Sequence, residues 1–350
     1  MNISDSRVLH LIKKLDLGGI EKSTISYSNY LSSEVSFVGI FAEEGFYSHS
    51  NLIDKKVELF YPAGSISNFG YYFSNLFSLI DVIRKNRINI IFYHHRIFIP
   101  FIWFVRKLMP EIKIVYTHHN VFNDPINLFL PADRFLAVSN ETGRDLSNYH
   151  KSAIHIIPHG IDISHPAPRK ASVIRNIGYV GRFARFKGIP VLLEAFSELI
   201  KVEPEYRLLL RGEGEEMEII RQYVLSHDLQ EYVRFCAPEY NQDIIFQDID
   251  LLVLPSTELE GFGLVVIEAM AMGIPVIASD VGGIRTILKD NYNGMLFRPN
   301  DAKQLAEKIR LITDDKEVKN RLVNNALIST QTSFSFSKSI DMQIQLLKEL

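Results

Sequence analysis

The chain has 350 residues, of which 47% are hydrophobic and 23% charged, and its formal net charge is −3 at pH 7. That length suits two α/β domains, and the charge balance argues against a dedicated nucleic-acid binder. A single cysteine, Cys236, excludes an internal disulfide and fits a reducing compartment.

Residues 7–12 are expected to form the first strand. Its apolar part is too short for a signal peptide and is interrupted by His10. Gly18 and Gly19 follow, then a helix over 20–31. A glycine pair between a strand and a helix is either a plain tight turn or a place where backbone approaches a ligand. Strands are expected over 35–42 and 57–61, and a helix over 73–84. Strands over 89–93 and 112–116 lead into two histidine pairs, His94-His95 and His118-His119. Both pairs fall at carboxyl ends of strands, the edge where open α/β sheets bind ligands. Metal binding is one reading of these pairs. Neighbours in an extended chain point to opposite faces, however, so neither pair readily chelates one ion.

Between 84 and 113, seven basic residues (Arg84, Lys85, Arg87, Arg96, Arg106, Lys107, Lys113) stand against one acid, Glu111. Phe98, Phe101, Ile102, Trp103 and Phe104 are interleaved with them. Such a run either docks on anionic lipid or forms a core helix with a solvated basic edge. The apolar stretch 97–105 contains Pro100 and is too short to span a bilayer. A cytoplasmic protein is expected, with peripheral contact to an anionic membrane as one of the two readings of this run. Strands over 135–139 and 154–157 come next, the second leading to Pro158, His159, Gly160, Ile161 and Asp162. Residues 164–172 carry two prolines and few apolar side chains, which suits a linker. The domains are accordingly set at 1–165 and 171–334.

The second half opens with a strand over 177–180, then a glycine-bounded loop from Gly181 to Gly188. Arg182 and Lys187 project from that loop, either as solvated charges or as ligands for two phosphates. A helix starts at Pro190. Strands follow over 206–210, 233–236 and 250–254. After Pro255 and Ser256 comes a loop with Gly261 and Gly263, then an apolar helix closed by Gly273, which suits a left-handed cap. A strand over 274–278 and the pair Gly282-Gly283 complete a strand–loop–helix–strand unit of the kind that builds parallel sheets. Gly263 and Leu264 start the helix, so their backbone N–H groups face the loop. Glu260 lies in that loop and Glu268 eight residues later, the only charge between Gly261 and Ser279. A carboxylate in an apolar helix is seldom left without a partner. Carboxylates and free amides together suit a ligand rich in hydroxyl and phosphate; the plainer reading of the spacing is a solvated loop glutamate and a helix-surface glutamate. A turn at Asn293-Gly294, a strand over 295–297 and helices over 299–313 and 337–350 end the chain.

From Glu260 through Gly261-Phe262-Gly263 and Glu268 to Gly283, these residues resemble the donor-site motif of the retaining family 4 glycosyltransferases. The resemblance extends from Gly18 to the chain end. It implies the GT-B form of α/β fold, two doubly wound Rossmann-like domains facing across a cleft, with helix 337–350 crossing back to the first. It also implies a hexosyltransferase using a nucleotide diphosphate sugar as donor substrate. Gly181, Arg182 and Lys187 then bind the diphosphate, with Gly18 and Gly19 against diphosphate and sugar. Glu260 and the backbone of Gly261, Phe262, Gly263 and Leu264 hold the hexose, and Glu268 holds the ribose. In the segment Thr117, His118, His119 and Asn120, His119 contacts the sugar near the reacting carbon and His118 packs. The residues implied in catalysis are His119, Arg182, Lys187 and Glu260. His159 stands where the family usually has Asn, and Ala237 where relatives often have Gly in the loop at the base.

A glycan acceptor, lipid-linked and belonging to surface polysaccharide synthesis, is expected with this family. No metal cofactor is expected. The pair Asp248 and Asp250 precedes the strand over 251–254, which puts it about 15 Å from the carboxyl edge. Two other readings stay open: a nucleotide-sugar epimerase of the same fold, which needs no acceptor, and a carbohydrate-binding subunit that has lost its chemistry.

Overall fold

The structure, a computed structural model, describes residues 2–16, 18–43, 52–151, 154–162, 173–258 and 260–350. The chain divides into two compact units, Met1–Pro158 with Ser339–Leu350, and His159–Lys338. The linker expected over 164–172 lies outside the described residues. The division falls earlier than expected because Ile161 belongs to the second unit. Its backbone N–H donates to the Phe334 carbonyl at 3.0 Å, and its carbonyl accepts from Phe336 at 2.8 Å.

The first unit runs β1 (Arg7–Lys14), α1 (Gly19–Leu31), β2 (Phe37–Glu43), β3 (Val57–Phe60), α2 (Tyr72–Lys85), β4 (Ile90–Tyr93), α3 (Ile99–Leu108), β5 (Lys113–His118), β6 (Arg134–Ala137), α4 (Asn140–Ser147) and β7 (Ile154–Ile156). Its strands form one parallel sheet in the order β3-β2-β1-β4-β5-β6-β7. Strands covered on both faces read as continuous apolar runs, as β1 and β4 do. The polar helix α4 starts at a reciprocal capping box between Ser139 and Thr142.

The basic and aromatic stretch 84–113 divides differently from the expectation. Phe98, Phe101 and Ile102 are buried in the core, leaving Trp103 and Phe104 exposed. Helical periodicity is the cause: 98, 101, 102 and 105 share the inner face of α3 and its N-cap, with Pro100 in the first turn. Arg96 and Arg106 are held in ion pairs by Asp124 and Asp133.

The second unit runs β8 (Asn176–Val180), α5 (Ile189–Ile200), β9 (Arg207–Arg211), α6 (Met217–Ser226), β10 (Val233–Cys236), α7 (Gln242–Phe246), β11 (Leu251–Leu254), α8 (Leu264–Ala271), β12 (Val276–Ser279), α9 (Ile284–Ile287), β13 (Met295–Phe297), α10 (Ala302–Asp314) and α11 (Lys316–Ser333). Its sheet is parallel, in the order β10-β9-β8-β11-β12-β13. A last helix, α12 (Phe336–Lys348), carries the chain into the first unit. Helix α11 was not expected from the polar stretch after 313. Asp315 starts it, its carboxylate accepting from the Glu317 and Val318 amides.

Asp250 does similar work before β11. Its carboxylate accepts from the amides of Arg175 and Asn176, at 3.1 and 2.9 Å, where β8 begins. Among the described residues, no helix is long and apolar enough to cross a membrane. No group of three or more His, Cys, Asp or Glu among them is placed to hold a metal ion.

Candidate active site

In each sheet the strand order reverses once, between β1 and β4 in the first unit and between β8 and β11 in the second. Loops leaving the carboxyl ends of strands at such a reversal diverge and open a crevice, the usual ligand position in open α/β sheets. In the second unit those loops carry Gly181, Arg182 and Lys187 after β8, and Ser256 and Glu260 after β11.

The two loops are tied across the reversal. Lys187 Nζ donates to both carboxylate oxygens of Glu260, at 2.8 and 2.9 Å, and Ser256 Oγ donates to the same carboxylate at 2.9 Å. Backbone contact backs the pairing, with Thr257 N donating to the Phe186 carbonyl at 2.8 Å. The Arg182 guanidinium and the Lys187 ammonium both lie over the Phe186 ring. Arg182 is exposed and its guanidinium has no hydrogen bond or ion pair among the described residues. Its carbonyl accepts from the buried Tyr179 hydroxyl at 2.8 Å, which fixes the start of the loop. Burial first, and the nearby Glu260 charge second, hold the Tyr179 phenol well above its ordinary pKa, so it stays a donor.

The loop after β11 ends at Gly263, whose φ of +98° is left-handed and costs a side chain strain. Helix α8 follows directly, so the first-turn amides from Leu264 onward open toward the loop. Gly261 and Phe262 are buried just before it. Glu268 is also buried, at 3% exposure, and accepts from the Gln242 amide on α7 at 3.3 Å. His159 contacts the same loop, packing edge-on against Phe262 with ring centroids 5.2 Å apart. The residue at the unusual position thus braces the loop that carries Glu260.

In the first unit, Gly18 caps α1 in extended conformation and Gly19 is its first residue. His94 and His119 follow β4 and β5. The structure pairs the histidines across strands rather than along the chain: His94 Nδ1 lies 2.9 Å from His119 Nε2, and His10 Nδ1 lies 3.1 Å from His94 Nε2. His118 is more than a packing residue. It lies inside β5, fully buried, and its Nε2 donates to Asp145 at 2.7 Å. Burial lowers the His118 pKa although Asp145 pulls the other way, leaving a neutral ring beside a carboxylate. Burial works against the Asp145 charge, but His118 and the amides of Phe122 and Asn123 hold its pKa below the ordinary value. Those contacts fix the chain just after His119.

Two buried histidines make stability depend on pH. Burial lowers His10 to about 3 and His159 to about 4. Above pH 6.5 both rings are neutral folded or unfolded, and nothing is lost. Below it the unfolded chain takes protons that the folded chain refuses, so stability falls as pH drops toward the folded values. The loss is about 1.4 kcal/mol per pH unit for each ring, hence roughly 2 kcal/mol each at pH 5. Urea midpoints should fall steadily from pH 7 to pH 5. A midpoint constant over that range would show that the folded rings accept protons.

The residues expected from sequence therefore fall into separate clusters. Arg182, Lys187 and Glu260 come together, Glu268 sits with Gln242, and His119 sits with His94. Ser256, Gln242, His10 and His94 went unassigned by sequence. Strand parity would have found His94, because 94 and 119 fall on one face when β4 and β5 are paired in register.

Parallel doubly wound units, with basic and acidic loops meeting at a switch point, are the build of the GT-B glycosyltransferases. HepE of Anabaena, solved in complex with UDP and glucose, superposes with a TM-score of 0.85 at 18% identity, covering 99% of this chain and 100% of that one. The description "Glycosyl transferases group 1" matches residues 164–328, and "Glycosyltransferase Family 4" matches residues 17–165. The chain belongs to this glycosyltransferase family. An uncharacterized glycosyltransferase of Methanocaldococcus jannaschii is 27% identical over 60% of this chain and 57% of its own length. The D-inositol 3-phosphate glycosyltransferase of Corynebacterium kroppenstedtii is 31% identical over 56% of this chain and 49% of its own length. The chain thus matches about half the length of these curated relatives.

Proposed function

We propose that this protein is a retaining hexosyltransferase, moving a hexose from a nucleotide diphosphate sugar to a hydroxyl of a glycan acceptor. The observation that carries this reading is the contact of Lys187 and Glu260 across the switch point, with Arg182 over the same aromatic ring. A diphosphate needs paired cations and a hexose needs a carboxylate for its hydroxyls; both are adjacent here. Arg182 and Lys187 neutralise the leaving diphosphate, with the Gly181 and Gly18-Gly19 backbones against it. Glu260 and the backbone from Gly261 through Phe262 and Gly263 to Leu264 hold the hexose. Glu268 takes the ribose hydroxyls, and His119 contacts the sugar near the reacting carbon. Stabilising charge on the leaving group is the largest catalytic contribution. The neighbour's complex with UDP and glucose supports a UDP-hexose as donor, and retention follows the resemblance of Glu260 and Glu268 to the family motif. No metal cofactor takes part, since side-chain cations and helix amides supply the positive charge.

Glu268 tests the donor site. Glu268→Ala should weaken UDP and UDP-sugar alike, because hydrogen bonds to a charged acceptor contribute about 1.5–3 kcal/mol each. Calorimetric titration with UDP should show a loss of at least about tenfold. Unchanged affinity would remove Glu268 from the ribose.

The acceptor in this reading is lipid-linked and belongs to surface polysaccharide synthesis, and the protein works on the inner face of an anionic membrane. Phe69, Phe73 and Phe77 recur at four-residue spacing and are 85%, 64% and 68% exposed. Trp103, Phe104 and Leu108 are exposed on α3, with Lys107 among them. Tyr72 packs against Phe101 with the rings tilted and their centroids 4.8 Å apart, and links the two helices. Apolar side chains beside unpaired cations favour anionic bilayers. The protein should sediment with vesicles containing phosphatidylglycerol, less so as salt rises. Equal partition into neutral and anionic vesicles would contradict the electrostatic part.

A further inference from the structure

Lys187 and Glu260 are assigned to different parts of the donor, the cation to its diphosphate and the carboxylate to its hexose. The structure bonds them to each other. An ammonium has three N–H groups. Lys187 spends two of them on Glu260, one on each carboxylate oxygen, at 2.8 and 2.9 Å. The two side chains are 16% and 14% exposed, so solvent screens their attraction only in part. Among the described residues, one other side chain donates to this carboxylate. It is Ser256, fully buried, whose Oγ lies 2.9 Å from Oε2.

A diphosphate that draws Lys187 toward itself therefore competes with Glu260. Each N–H it takes leaves a shielded negative charge resting more heavily on the single hydroxyl of Ser256, and a shielded charge stripped of its partner is costly. The diphosphate also brings a second anion beside the first, and like charges at this range repel. A hexose relieves both effects. Its hydroxyls are donors that can stand in for the ammonium on Glu260. The ester bond to the sugar also removes an ionisable oxygen from the terminal phosphate, which lowers the charge that meets the carboxylate.

We propose that Glu260, through its bond to Lys187, makes the site select an intact sugar nucleotide over a nucleoside diphosphate, so that the spent product is released. This role rests on the donor reading of both side chains and adds to it a reason for their direct contact.

Calorimetric titration of the full chain with UDP, GDP and ADP identifies the nucleotide bound most tightly, and the titration is repeated with its hexose derivatives. In Glu260→Gln the amide keeps the shape and can still accept from Ser256, but Lys187 is no longer neutralised. This variant should bind the nucleoside diphosphate about tenfold more tightly than the parent does. Its preference for the sugar nucleotide should shrink by about tenfold or more. Ser256→Ala should move the other way. It removes the donor that holds Glu260 when Lys187 is drawn off, and it changes no charge. The nucleoside diphosphate should then bind about threefold more weakly, with the sugar nucleotide less affected. A loop that had merely loosened would weaken nucleotide binding in both variants, so the opposite signs are specific to the competition. Unchanged or weaker nucleoside diphosphate binding in Glu260→Gln contradicts the selecting role and leaves the donor reading standing. Binding of none of the three nucleotides to the parent overturns the donor reading and this role with it.

Discussion

Lys187→Ala is expected to lower turnover by about 10²–10³ while leaving the chain folded. Lys187 is the cation that meets Glu260 across the switch point, and both side chains are largely shielded from water. A charge held in such a place acts on the diphosphate more strongly than one in bulk solvent. Negative charge grows on the diphosphate only as the glycosidic bond breaks, so the loss falls on kcat more than on KM. Among the described residues, removing the lysine also leaves the Glu260 carboxylate with only Ser256 as a side-chain donor, which misdirects it. On the proposed reading, in which side chains rather than a metal neutralise the donor, exhaustive EDTA treatment of the parent protein should leave turnover as it was. Parent-like turnover in Lys187→Ala would place the diphosphate elsewhere. Activity lost to EDTA and restored by Mg²⁺ or Mn²⁺ would contradict the metal-free reading.

Gly283→Ala should be nearly as damaging, although the residue has no functional group. A Cβ there would sit 2.1 Å from the Gly261 carbonyl oxygen and 2.8 Å from Phe262 Cα. Both are backbone atoms, so no rotamer change relieves the clash. Gly283 N also donates to the Glu260 carbonyl at 2.6 Å, which ties the two loops together. Crowding of this kind costs about 1–3 kcal/mol of stability. Displacing the 260–262 loop by about 1 Å is enough to cost roughly 100-fold in rate. Kinetics on the folded variant should therefore show turnover down about 100-fold. A variant with parent turnover would mean that the loop's position is irrelevant to the reaction.

Much of the second unit was legible in the sequence because its signals are local. Apolar runs of strand length, glycines at the loops and proline at the start of α5 mark each element. Lys187 and Glu260 were both assigned to the donor, but their direct bond needs the sheet order, which no local pattern contains. The same limit hid the histidine line. Read along the chain, 94–95 and 118–119 look like two pairs, and only the pairing of β1, β4 and β5 shows that His10, His94 and His119 belong together. The basic and aromatic stretch misled for a different reason. Composition counted Phe98, Phe101 and Ile102 with Trp103 and Phe104, whereas helical phase sends the first three inward. Helix α11 was missed because its polar sequence shows little periodicity and its stability comes from packing against α8 and α10.

The most direct test of the donor reading is to mix the protein with UDP-, GDP- and ADP-hexoses, with and without a glycan acceptor, and follow the anomeric protons by NMR. The expected result is release of nucleoside diphosphate from one donor, accelerated by acceptor, with an α-linked product from an α-linked donor. A β-linked product would contradict retention, a C2 or C4 epimer formed without acceptor would identify an epimerase, and no turnover of any donor would contradict the account at its centre.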